Sequence, residues 1–170
     1  MDPVTTHVSI DRPREEVFAY LSDIANHPEF TDHFLKDWRL TREESEGRGA
    51  GARYRQTGRF DRFGFYDLSF AQVEAPRRLV AVGRGGKFNR IKTFHQWTLE
   101  PDHGGTRLEY LYETEPPLPT DRLIEALSGR RGWFKRNSGK ALRRLRGILE
   151  EDRGRGARAT VGGLDSPATR

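Results

Sequence analysis

Between about Asp37 and Glu115 the chain alternates apolar and polar residues with period two, broken only by short turns: GRGAG, DRFG, EAPRR, GRGGKFN and PDHGG. Period two is the spacing of a half-buried strand, and turns this short join only antiparallel neighbours. The pattern predicts strands at Asp37–Glu44, Arg53–Phe60, Phe65–Glu74, Arg78–Arg84, Arg90–Glu100 and Thr106–Glu115. Together they form a meander, and a meander has one face that must be covered.

The flanking segments supply the cover. Val4–Ile10 (VTTHVSI) reads as another strand, giving about seven. DRPREEVFAYLSD follows, with Asp11 as a candidate N-cap, Pro13 in the first turn and Val17, Phe18 and Leu21 at helical spacing. Next comes a second short helix or turn, IANHPEF, interrupted at Pro28. After PPLPT, Thr120 or Asp121 can cap a long helix reaching about Asp152, with an apolar stripe of Ile124, Leu127, Phe134, Ala141, Leu142, Leu145, Ile148 and Leu149. Gly129, Gly132 and Gly139 weaken its first half. Two readings follow: a thin, movable lid over a cavity, or a break between two shorter helices. The expected organisation is one domain, residues 1–152, and a disordered basic tail, residues 153–170.

Charge bears on the partner. The chain carries a net +5, but Gly129–Arg158 alone carries +8, so the remainder sums to −3. Basicity confined to one helix and the tail disfavours nucleic acid as the partner of the whole domain. Binding of an anionic membrane surface or nucleic acid by the C-terminal helix is retained as a second alternative. The absence of cysteine excludes disulfides and thiolate chemistry. The five histidines have no ligand-like spacing, so no metal is expected, and no P-loop or dinucleotide motif occurs, so no cofactor is expected. No apolar run is long enough to insert stably in a bilayer, and the N-terminus has no secretion pattern, so a cytoplasmic protein is expected. Nothing in the sequence fixes the oligomeric state.

Strand, two short helices, antiparallel meander and long C-terminal helix is an order similar to the α+β helix-grip fold of the START-like, or SRPBCC, superfamily. That group includes polyketide cyclases/dehydrases, lipid-transport domains and birch-pollen-allergen relatives. The stretches VSIDRPREEVFAYLSDIANHPEF, FAQVEAPRRLVAV and HQWTLEPDHGGTRLEYLYE carry the resemblance. It implies a curved sheet gripping the C-terminal helix, with a cavity between them. It transfers no catalytic set, because the residues that do chemistry differ between members.

Strand parity gives the candidate site. In RIKTFHQWTLEP the parity holding Trp97 and Leu99 also holds Ile91, Thr93 and His95; in TRLEYLYET the less charged set is Leu108, Tyr110 and Tyr112. On Phe65–Glu74 the two parities are not separable, and Asp67 is kept as a candidate. The helix contributes Arg131, Phe134 and Ser138. This amphiphilic list suits a small hydrophobic or aromatic ligand, which the resemblance implies is polyketide- or lipid-like, contacted by Trp97, Leu99, Leu108, Tyr112, Asp67, Arg131, Phe134 and Ser138. The alternative is a cyclase/dehydrase-type enzyme in the same cavity, for which His95 and Tyr110 are the candidate acid–base pair.

Overall fold

A computed structural model describes residues 2–57 and 64–165. The seven strands are β1 (Val4–Ile10), β2 (Leu35–Leu40), β3 (Gly51–Gln56), β4 (Phe65–Glu74), β5 (Arg78–Gly85), β6 (Ile91–Asp102) and β7 (Gly105–Glu115). They form one antiparallel sheet in the order β1-β7-β6-β5-β4-β3-β2. The helices are α1 (Arg14–Ser22), α2 (His27–Thr31), α3 (Pro119–Leu127) and α4 (Arg130–Glu151), with a 3-10 turn at Ile24–Asn26. The curled sheet wraps α4, as expected for a helix-grip fold. Part of one expected strand, at 58–60, and most of the DRFG turn lie outside the described residues.

Two bulges set where side chains point. Between Phe70 and Gln72 the register of β4 against β5 slips by one residue. Tyr66, Leu68 and Phe70 are therefore buried before the bulge, and Val73 packs on the core after it. This is why neither parity of β4 reads cleanly in sequence. In β2 a second slip lies between Lys36 and Arg39, with Asp37 at φ 56. It brings Leu35, Trp38 and Leu40 inward, a spacing that period-two counting misses.

The helix ends are held by side chains. Asp11 does not cap α1 through its carboxylate; its backbone N–H instead donates to Glu150 at 2.7 Å. The Arg12 guanidinium donates to the carbonyls of Leu149 (2.8 Å) and Glu150 (3.1 Å), satisfying orphan acceptors at the end of α4. Pro28 does not interrupt a helix. It lies in the first turn of α2, where its missing N–H costs nothing.

The C-terminal helix is two helices. Gly129, at φ 64, separates α3 from α4, while Gly132, Gly139 and Gly147 continue through α4 without a break. The expected stripe consequently fails at its start: Leu127 is 79% exposed and Leu123 60%. Opposite effects of one substitution follow. Alanine at Gly132, Gly139 or Gly147, where a Cβ meets ordinary contacts or open space, should stabilise by roughly 0.5–1 kcal/mol each. Gly129→Ala should destabilise by about 1 kcal/mol, because an L residue is strained at that φ. Thermal melts of the four single variants check this; melting points moving in the same direction would contradict it.

Residues 153–165 differ from the expected disordered tail. Arg158–Thr160 (β8) and Gly163–Asp165 (β9) form a hairpin, and Ala159 is buried. Ion pairs fasten the segment: Arg158 to Asp23, and Arg155 to Glu29 at 3.7 Å. Residues 166–170 of the expected tail lie outside the described residues.

Candidate functional site

The inner face of β6 carries Ile91, Thr93, His95, Trp97 and Leu99, all buried, and its register on β7 sets His95 opposite Tyr112 and Trp97 opposite Tyr110. From the facing side α4 presents Phe134, Ser138, Ala141 and Leu142, and α2 presents His27, Phe30 and Thr31. Between them lies a cavity of about 30 Å³, lined among others by His95, Trp97, Tyr110 and Ser138. Its walls are mainly rings. His27 stands edge-on to Trp97 at 5.4 Å, His95 stacks on Trp97 at 5.9 Å, and Trp38 stacks on Tyr54 at 4.7 Å.

His95 Nδ1 and the Tyr110 hydroxyl are 2.8 Å apart and share a hydrogen bond. Nε2 of the same ring is buried with no hydrogen-bond partner, as are Ser138 Oγ and Trp38 Nε1. Burial, helped by the nearby His27, lowers the His95 pKa to about 3. Burial likewise lowers that of His27 to about 4, against the opposing hydrogen bond of its Nε2 to the Leu21 carbonyl at 2.9 Å. The Tyr110 hydroxyl is pushed well above its ordinary value, first by burial and then by Tyr112. At pH 7 every titratable group of the cavity wall is neutral.

The other sequence-predicted residues divide. Tyr112 and Phe134 stack face to face at 3.8 Å beside the cavity. Leu99 and Leu108 are buried in the core, away from the cavity lining. Asp67 is on the opposite face of the sheet, paired with Arg53 at 2.6 and 2.9 Å, because the parity of β4 before its bulge points outward at that position. Arg131 is exposed, with its guanidinium 3.5 Å from the Pro3 carbonyl. Arg130 turns inward instead, donating to Gln56 Oε1 (2.8 Å) and to the Tyr66 hydroxyl (2.6 Å). Gln56 in turn donates to the Tyr112 hydroxyl at 3.3 Å, so one polar chain joins the start of α4 to β3, β4 and β7.

Sequence reasoning misses His27, Trp38 and Tyr54. His27 is masked by the neighbouring proline, and Trp38 by the bulge in β2. The basic face of α4 is also thinner than its composition suggests, since Arg130 and Arg144 are engaged within the fold, the latter with Asp32 and with the Gly154 carbonyl at 3.1 Å. Among the described residues no helix is long and apolar enough to cross a membrane. A second, broader concavity of about 940 Å³ lies on the outer face of the sheet, rimmed by Asp67, Arg84, Lys92, Glu113 and Glu115.

The fold is shared with solved structures of low sequence identity. TTHA0849 from Thermus thermophilus superposes with a TM-score of 0.69 at 15% identity, over 89% of this chain and 99% of that one. A Rhodobacter sphaeroides protein does so with 0.60 at 22% identity, over 86% and 91%. DynU16, a protein in the dynemicin biosynthetic locus, aligns with 0.62 at 19% identity over 91% of this chain, which spans only 49% of DynU16. No curated protein matches the sequence. The sequence pattern described as polyketide cyclase / dehydrase and lipid transport matches residues 1–150, and with the gripped helix and ring-walled cavity in place the chain belongs to that family.

Proposed function

We propose that the protein binds a small hydrophobic or aromatic molecule between the inner face of the sheet and α4. The observation that carries this reading is the composition of the cavity wall: aromatic rings from β2, β3, β6, β7 and α2, with isolated neutral polar atoms among them. The outer groove is larger, but a much greater share of its lining is polar, with the charged side chains of Asp67, Arg84, Lys92, Glu113 and Glu115 around it, whereas the inner cavity is walled almost wholly by apolar and aromatic groups. At about 30 Å³ the inner cavity is in a closed form, because small-molecule sites span roughly 300–1,000 Å³. The opening movement is assigned to the least packed segment joined to α4, although among the described residues that segment contributes nothing to the cavity lining. The α3 helix, with Leu123 and Leu127 turned to solvent and Gly129 as its joint to α4, is that segment.

Binding is favoured over proton-transfer catalysis by the state of His95. A base whose conjugate acid has a pKa of about 3 is poorly matched to abstracting a proton at neutral pH. For the same pair to act as a cyclase or dehydratase, ligand entry would have to wet the site and raise that value. Thermal denaturation with and without naphthols, flavonoid-like phenols and C12–C16 fatty acids tests the reading. A ligand present at about 100 times its dissociation constant should stabilise by about 2.7 kcal/mol, a shift of several degrees. No shift with any member of the panel would refute it.

A further inference from the structure

Three buried polar atoms without partners belong to residues that line one cavity: Trp38 Nε1, Ser138 Oγ and His95 Nε2. All three residues are at most 3% exposed, so bulk water does not reach them. Unpaired buried polar groups are uncommon and costly, and three around one space call for a common partner. The space is about 30 Å³, enough to admit a water-sized molecule, and a buried water takes two to four polar neighbours.

The chemistry of the three atoms restricts that partner further. An indole N–H only donates, a serine hydroxyl donates or accepts, and the imidazole nitrogen does either according to the tautomer set by its bond to Tyr110. The partner must therefore accept at least one hydrogen bond. Among the described residues no Asp, Glu, Lys or Arg lines the cavity, so a charged group there would be desolvated without a counter-ion.

We infer that the cavity is a site for one neutral oxygen. In the closed protein this is the oxygen of a water. In the complex it is the hydroxyl or carbonyl oxygen of a flat aromatic ligand, held by Trp38, Ser138 and His95, with the ring system running between Trp97 and Tyr54. This rests on the reading that the cavity takes a ligand, and it makes these three residues the determinants of which ligand.

The test is calorimetric titration at pH 7.5 with 2-naphthol, naphthalene and 2-naphthoate, which share a ring system and differ in the terminal group. 2-Naphthol should bind at least about ten-fold tighter than either of the others, as expected when a buried polar site loses its partner or receives a charge. Ser138→Ala and Trp38→Phe should bring the naphthol-to-naphthalene ratio toward one without weakening naphthalene. If Trp38→Phe does not fold, Ser138→Ala removes a single oxygen and carries the test alone. Equal affinity for naphthol and naphthalene in the unmodified protein overturns the inference and leaves the binding function standing. Naphthoate binding as tightly as naphthol overturns the neutral-oxygen assignment. Failure of all three probes, together with the acyl and phenolic panel, overturns both.

Discussion

Lowering the pH from 7 to 5 is expected to remove about 4 kcal/mol of folding stability, through two histidines alone. His27 and His95 are buried and neutral, with pKa values lowered from 6.5 to about 4 and about 3. Because the native values lie below the unfolded one, the unfolded chain takes up protons in this window and the native protein does not. Their stabilisation is therefore complete above about pH 6.5 and drains away as the pH falls toward the native values. His33, lowered in the same direction by burial and by Lys140 and Arg144, adds to the trend. At roughly 2–4 °C per kcal/mol for a domain of this size, the melting point should fall by about 10 °C. Urea denaturation from pH 7.5 to 4.5 measures it directly, as a proton uptake on unfolding that approaches two. In His95→Gln the uptake should drop by about one. An unchanged uptake would mean that His95 is solvated in the native state, and the closed cavity would then be wrong.

The elements most legible in sequence are those without a bulge. β6 and β7 keep strict alternation, so parity alone places His95, Trp97 and Tyr112 on the buried face. β4 and β2 each contain an extra residue, which transfers the apolar set from one parity to the other midway. The mixed parity of β4 leaves Asp67 undecided, and the bulge in β2 hides Trp38. The slip on the helix is of the same kind. Counting forward from Ile124 and Leu127 along an unbroken helix leads to Arg131, whereas counting back from Ser138 and Phe134 in steps of four leads to Arg130. The left-handed residue at Gly129 resets the phase, and only the second count survives it. The β8–β9 hairpin is illegible for a different reason. Its strands have three residues each, below any periodicity, and it is fixed by partners such as Asp23 that lie far away in sequence.

Phe134→Ala should cost about 3–5 kcal/mol, the range for truncating a buried aromatic ring. The ring is 1% exposed, stacks on Tyr112 at 3.8 Å and meets the edge of Phe34 at 5.8 Å, so α4 and the sheet both lose contacts when it goes. The cost should appear as a melting point lower by roughly 10 °C, and part of it should be returned by ligand. The void left by the ring lies beside Phe34, which already lines the cavity, so the truncated protein should bind naphthalene more tightly than the unmodified one. Measuring both quantities on the same variant separates two pictures of the gripped helix. A large loss with ligand rescue means a wall that holds its shape, in which entry depends on movement of α3 about Gly129. A loss below about 1 kcal/mol without rescue means that α4 settles onto the sheet when the ring is removed. The wall itself would then be compliant, and opening would need no hinge.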